Sequence, residues 1–275
     1  MQNVPDYPYG RSYPEHMDLL PALPDDDFRS VLCVVAHPDD VEYGTSAAVA
    51  RWTARGVDVA YLLLTRGEAG MPNPPEETAL LRRAEQEAAC AAVGVSSLEV
   101  LEHPDGVLQP SLDLRRDIAR AIRTHQPDVV VTGSWEVEFV AGLNQADHRV
   151  AGMACLDAVR DADNPWVFPD LADEGLKPWR VRWLLVSGHT QPTHGVDVSG
   201  EPLARGVAAL EAHRDYLAAI DGHPAPATFI PMIASMGGQR LGVEHAVLFR
   251  AWDLLAPRPS MPPVSEPRQP LLLPP

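Results

Sequence analysis

Short, almost uninterrupted apolar runs recur along this chain, each followed by a longer amphipathic stretch, and Val31-Leu32-Cys33-Val34-Val35 is the clearest of them. A strand that is apolar at every position must be covered on both faces. Apolar runs alternating with helical patterns are the signature of βαβ units. The pattern predicts strands over residues 30–36, 57–64, 98–101, 128–132 and 182–187, and helices over 44–55, 76–93, 112–124, 148–161 and 203–219. Gly56 and Gly94 each follow a helical run, where a left-handed cap is expected. The fold expected is α/β: a Rossmann-like, doubly wound, mostly parallel sheet with helices on both faces, without internal repeats.

At 275 residues one large α/β domain is long enough to bury a substantial core. Residues 1–27, rich in Pro, Asp and Tyr and ending in Asp25-Asp26-Asp27, are expected to wrap over the surface ahead of a body at 28–255. In the tail at 256–275 eight of twenty residues are proline, a composition that suits neither helix nor central strand. The formal net charge of −16 opposes phosphate backbones and anionic headgroups, which argues against nucleic acid and membrane as partners and leaves a small molecule. A homo-oligomer stays open. Cys33, Cys90 and Cys155 lie far apart in apolar stretches, and no export signal precedes them. They read as core residues of a cytoplasmic protein.

In open parallel sheets ligands bind beyond the carboxyl ends of the strands. After the first predicted strand comes Ala36-His37-Pro38-Asp39-Asp40-Val41-Glu42-Tyr43-Gly44. His37 and Asp40 stand three apart on one turn, and imidazole with carboxylate suits zinc or another first-row divalent metal. Asp39, between them, is placed to take a proton from metal-bound water. A polar turn whose Asp caps the next helix is the alternative. A second cluster, Asn144-Gln145-Ala146-Asp147-His148, follows the fourth predicted strand, and His148 would complete the open three-ligand sphere of a catalytic zinc site.

These residues resemble the LmbE-like or PIG-L-type de-N-acetylases. The resemblance runs from about Val31 to Arg250. It rests on Ala36-His37-Pro38-Asp39-Asp40, Leu64-Thr65-Arg66-Gly67-Glu68, Arg82-x-x-Glu85, Pro104-Asp105-Gly106, Asp147-His148-Arg149, Val196-Asp197-Val198-Ser199 and Gly242-Val243-Glu244 before a final strand. It implies hydrolysis of an N-acetyl group on an amino sugar, or a related small N-acylated amine, by zinc-bound water. His37, Asp40 and His148 are then the zinc ligands, a set that also accepts iron, and Asp39 is the general base. Arg82, Asp105 and Asp147 are placed with the substrate. Read as residues alone, Arg82 pairs with Glu85 along a solvated helix face, and Asp105-Gly106 is a turn.

One departure from the family pattern bears on mechanism. Many relatives carry a histidine where this chain has Gln145, and glutamine donates a hydrogen bond but shuttles no proton. His194, after the fifth predicted strand, is the reserve candidate, with His189 and His103 behind it; His213 reads as a packing residue. Residues 135–142 form a longer loop than short-loop relatives need. The rival readings are a relative that binds metal or ligand without turnover, and a phosphoesterase on the same sheet. A phosphoesterase needs more basic residues near the strand ends than Arg66 and Arg82. A nucleotide-binding Rossmann domain is disfavoured because no G-x-G-x-x-G follows the first strand.

Overall fold

The apolar run at Val31 becomes the third strand of a seven-stranded sheet, next to the central one, and its alternate residues serve two separate cores. A computed structural model of the chain describes residues 18–140 and 142–256. In chain order the elements are β1 (Ser30–Val35), α1 (Asp40–Gly44), α2 (Ser46–Ala54), β2 (Asp58–Leu63), α3 (Pro75–Val93), β3 (Ser97–Val100), α4 (Leu112–His125), β4 (Val129–Gly133) and the short strands β5 (Glu138–Phe139) and β6 (Gly142–Leu143). There follow α5 (Ala146–Asp163), α6 (Pro169–Asp173), β7 (Trp183–Ser187), β8 (His194–Asp197), α7 (Glu201–Glu211), α8 (Arg214–Ala219), α9 (Pro226–Leu241) and β9 (Ala246–Asp253).

The strand order is β3-β2-β1-β4-β7-β9-β8. The first five run parallel, whereas β9 pairs antiparallel with both β7 and β8. Val31, Cys33 and Val35 face one core with Val49 and Trp52 of α2, Val93 of α3 and Leu210 of α7. Leu32 and Val34 face the other, with Ile118 and Ile122 of α4 and Cys155 of α5. Each fully buried Val or Leu contributes about 1.5–3 kcal/mol of apolar burial, so a strand buried on both faces anchors both layers at once. Helix α4 starts where Ser111 accepts a hydrogen bond from the Leu114 amide at 3.1 Å, a cap worth about 1 kcal/mol.

The mostly parallel, doubly wound sheet matches the expected fold, and the five predicted strands lie within a residue or two of their places. Three helices differ. The one expected over 44–55 is broken at Thr45 and begins at Asp40. That over 148–161 begins at Ala146. That over 203–219 is interrupted at His213, which buries its ring completely at the break between α7 and α8. The loop expected over 135–142 folds into the β5–β6 hairpin. From the N-terminal segment, residues 18–27 dock on the sheet edge: Leu23 donates to the Gly195 carbonyl at 2.8 Å, and buried Asp25 accepts from Trp52 Nε1 and Arg55 Nη1 at 2.9 Å each. Residues 1–17 and nearly all of the proline-rich tail lie outside the described residues. No helix among the described residues is long and apolar enough to cross a membrane.

Candidate active site

Strand order reverses between β1 and β4, the two strands whose carboxyl ends carry His37-Pro38-Asp39-Asp40 and the Asn144–His148 cluster. The first loop is held in an unusual shape. Asp39 has φ 88°, a left-handed conformation costing a non-glycine residue about 1–3 kcal/mol. Gln86 offsets that cost by accepting the Asp39 amide at 3.0 Å, and Asp40 Oδ2 accepts the His37 amide at 2.9 Å. The turn therefore presents His37, Asp39 and Asp40 from one rigid corner.

His148 Nε2 lies 3.0 Å from Asp40 Oδ1, and His37 Nδ1 lies 3.7 Å from Asp40 Oδ2. One ligand atom from each of His37, Asp40 and His148 falls within 4.8 Å of the other two, close enough for one cation to touch all three. Two imidazoles and one carboxylate are borderline donors that fit a first-row divalent ion. The far nitrogens are engaged as well. His148 Nδ1 is 3.2 Å from Asn144 Oδ1, and His37 Nε2 is 3.0 Å from Asp105 Oδ1 and 3.4 Å from Asp147 Oδ2. Such outer partners fix the tautomer and aim the other nitrogen at the ion. His37, Asp105 and Asp147 form a second possible cluster. It is the poorer one, because its carboxylates already accept the amides of Ala69, Gly106 and Leu108 at 2.8, 2.8 and 3.1 Å.

Charge is concentrated here. Burial works against a charged His37, but Asp105, Asp147 and Asp40 outweigh it and hold its imidazole up at about 12 in the metal-free chain. Burial likewise opposes ionisation of Asp40, yet His148 and His37 keep its carboxyl well below the ordinary value. Asp105 and Asp147 are lowered by His37 against the same opposition. Asp39 is the exception: burial pushes it up, Arg82 pulls it back, and it settles at about 6.

Arg82 does not lie on a solvated face with Glu85. It is 2% exposed, its Nη2 sits 3.0 Å from Asp39 Oδ1 and also donates to the Pro38 carbonyl, and its guanidinium packs 3.7 Å over the ring of Tyr216. Glu85 instead accepts the Asp215 amide at 2.6 Å. The helix α3 thus turns Arg82 inward, against the base candidate. Glycines make room for it, since a Cβ on Gly70 would stand 2.6 Å from Arg82 Nη1.

A cavity of about 380 Å³ opens over this corner and is lined by His37, Asp39, Asp40, His148, Arg82 and Asp105, together with Gln145. Asp147 does not line it; it stands behind His37. His194 lies elsewhere, with Nδ1 3.0 Å from Thr193 Oγ1 and its ring edge on Trp183. His103 pairs with Asp117 at 3.0 Å, and His189 stands 3.6 Å from Glu136. Sequence reasoning overlooked Tyr43 and Tyr216, which line the cavity, and the orienting role of Asn144. The spacing of Asn144 and His148, one helical turn apart, was the available signal for the last; nothing local marked the tyrosines.

Fold and site together define a class: Rossmann-like α/β proteins with two histidines and one carboxylate grouped closely enough to hold a cation at the switch point of the sheet. Residues 32–159 match the family model described as PIG-L, GlcNAc-PI de-N-acetylase. The chain is 30% identical over 179 residues to a diacetylchitobiose deacetylase of Thermococcus kodakarensis, in a match spanning 64% of this chain and 66% of that enzyme. It is 28% identical to a 1D-myo-inositol 2-acetamido-2-deoxy-alpha-D-glucopyranoside deacetylase of Acidothermus cellulolyticus, over 81% and 89% of the two chains. The solved N,N'-diacetylchitobiose deacetylase of Pyrococcus horikoshii superposes with a TM-score of 0.75 at 26% identity, over 84% of this chain and 86% of that one. The chain belongs to the PIG-L, LmbE-like family of de-N-acetylases.

Proposed function

We propose that the protein is a divalent-metal-dependent deacetylase that hydrolyses the N-acetyl group of an N-acetylglucosamine-type sugar. The observation that carries this reading is the convergence of His37, Asp40 and His148 on one point, with Asp39 beside them and a cavity above. Zinc, or iron in its place, would be held by those three side chains, where it would lower the pKa of water and polarise the acyl oxygen. Asp39 acts as the general base. A carboxyl held near 6 is largely ionised at neutral pH yet basic enough to accept the proton of the attacking water.

Having taken that proton, Asp39 returns it to the departing amine nitrogen, so water is consumed and acetate and the free amine are released. Arg82 stabilises the ionised carboxylate between turnovers and fixes its direction. The Gln145 amide, at the N-terminus of α5 and on the cavity wall, donates to the oxyanion that develops on the acyl oxygen. Asp105 and Asp147 act through His37, by orienting its ring. The relatives named above supply the substrate class, which is why an amino sugar is put forward ahead of other acylated amines.

The test is primary-amine release by the metal-loaded protein from a panel of N-acetylated amino sugars and simple N-acyl amines. Turnover confined to the sugars, and lost on chelation, is the expected result. Release from no member by protein with its metal bound would sink the reading.

A further inference from the structure

Behind the Asp39 turn runs a chain of buried polar side chains. Gln86 of α3, Glu42 of α1 and His213 between α7 and α8 are each no more than 1% exposed, and none of the three lines the cavity. Gln86 Oε1 accepts the Asp39 amide at 3.0 Å, so its Nε2 faces the other way, where it donates to Glu42 Oε1 at 3.2 Å. Glu42 Oε2 in turn lies 3.7 Å from His213 Nε2. We propose that Gln86, Glu42 and His213 are positioning residues, a chain that fixes the direction of the Asp39 carboxylate from behind its turn. This rests on the role of Asp39 as base under the deacetylase reading, and deepens it.

Packing alone does not account for these three residue types. Glu42 Oε2 and both ring nitrogens of His213 have no hydrogen-bond partner among the described residues, and burying polar atoms in that state costs stability that an apolar side chain of the same size would not. Such a cost is retained where it holds a strained functional conformation, and Asp39, at φ 88°, is in one. The Gln86 acceptor keeps the turn in that shape only while its own amide is held. Cys90 Sγ, 3.9 Å from Nε2, is a weak acceptor. Glu42 is the strong one, and His213 is the basic side chain that faces it.

His213 supports the same base by a second route. Helix α7 lies close against α2 because Gly206 meets Ala47, where an added Cβ would stand 2.9 Å from the Ala47 Cβ. The chain then breaks at His213, whose carbonyl accepts the Leu217 amide at 2.9 Å and opens α8. From α8, Tyr216 packs on the Arg82 guanidinium, and the Asp215 amide donates to Glu85, three residues after Arg82 on α3. Arg82 Nη2 meets Asp39 Oδ1 at 3.0 Å. One buried histidine therefore stands behind both the amide and the carboxylate of Asp39.

The experiment uses the full-length, metal-loaded protein with N-acetylglucosamine and N,N'-diacetylchitobiose, kcat being referred to bound metal and measured well below the Tm of each variant. Gln86→Met, which keeps the length of the side chain and removes the acceptor, should lower kcat about 10–100-fold, the cost of a misplaced reacting group, with KM and metal content unchanged. Glu42→Leu and His213→Leu should do likewise, and the two together should cost little more than either alone, because they break one chain. Glu42→Gln, whose amide oxygen still accepts from Gln86, should recover most of the loss. Hydrogen exchange at the Asp39 amide gives a reading without substrate: it should be slow in the wild type and in Glu42→Gln, and faster in Gln86→Met and Glu42→Leu. If neither sugar is hydrolysed, the deacetylase reading falls, and the exchange rates alone decide the positioning. A lower Tm with kcat per metal unchanged in Gln86→Met, equal kcat in Glu42→Gln and Glu42→Leu, or unaltered exchange at Asp39 would overturn the proposal.

Discussion

Asn144 Oδ1 lies 3.2 Å from Nδ1 of His148, and the orientation of that amide is settled by its other end. Asn144 Nδ2 donates to the carbonyls of Ser134 and Glu136 at 2.6 and 3.0 Å, so the oxygen has to face the histidine. His148 then carries a proton on Nδ1, which leaves Nε2, 3.0 Å from Asp40 Oδ1, as the nitrogen that would meet a cation once its own proton is displaced. Asn144→Ala is expected to weaken metal binding about 10–100-fold, the usual cost of losing such a partner. Competition with a chelator of known affinity measures it, and an unchanged affinity would show that the amide does not set the tautomer.

His37 couples metal to pH. With burial opposing and Asp105, Asp147 and Asp40 prevailing, its imidazole stands at about 12 in the metal-free chain, above an unfolded value near 6.5. A raised pKa contributes stability that is complete below the unfolded value and is lost as pH rises toward the folded one. The metal-free protein should therefore lose up to about 1.4 kcal/mol per pH unit above pH 6.5. Metal binding displaces a proton and strengthens with pH, so the Tm difference between loaded and stripped protein should widen from pH 6.5 to 8.5. A constant difference would mean that His37 releases no proton to the ion.

Arg82 and Asp39 form a buried pair in which removal of one partner strands the other. Arg82→Met should cost about 3–5 kcal/mol in unfolding free energy, read by denaturant titration. It also removes the influence that pulls Asp39 down, so the Asp39 carboxyl should rise above about 6 and the acidic limb of the rate profile should move to higher pH. A limb that stays in place would detach Asp39 from catalysis.

The half of the site built from contiguous residues was legible in advance, because His37, Asp39 and Asp40 share one turn at a strand end, and the switch point tells where such a turn faces. The sheet was legible for a related reason, since strands buried on both faces leave unbroken apolar runs. Strands β8 and β9 carry no such run: HGVD and AVLFRAWD are only half-buried, and their antiparallel pairing depends on partners distant in sequence. Helix α9, with Pro226 at its start and Pro231 inside, contradicts its own local signals. The inward turn of Arg82 was hidden because a Glu three residues on supplied a plausible surface partner, while Asp39, its actual one, comes from another element. Tyr216 was hidden by the break at His213, which reaims the chain after α7.

Gln145 stands where many relatives of the family pattern carry a histidine, and the proposed mechanism divides that histidine's work between two residues. Gln145 lines the cavity at the start of α5 and on that mechanism would supply an N–H donor, while Asp39 would supply the proton. Gln145→Ala is expected to lower kcat by about 10²–10³, the cost of one oxyanion donor, with metal content unchanged. Asp39→Asn should cost more and also keep the metal, whereas His37→Ala and His148→Ala should lose it, as metal analysis of the purified variants will show. His194, held against Thr193 and Trp183 away from the cavity, should tolerate substitution by alanine with little change in kcat. Were His194→Ala as damaging as Asp39→Asn while Gln145→Ala was silent, the proton would be supplied from β8, and a single carboxylate serving in both directions would be the wrong mechanism.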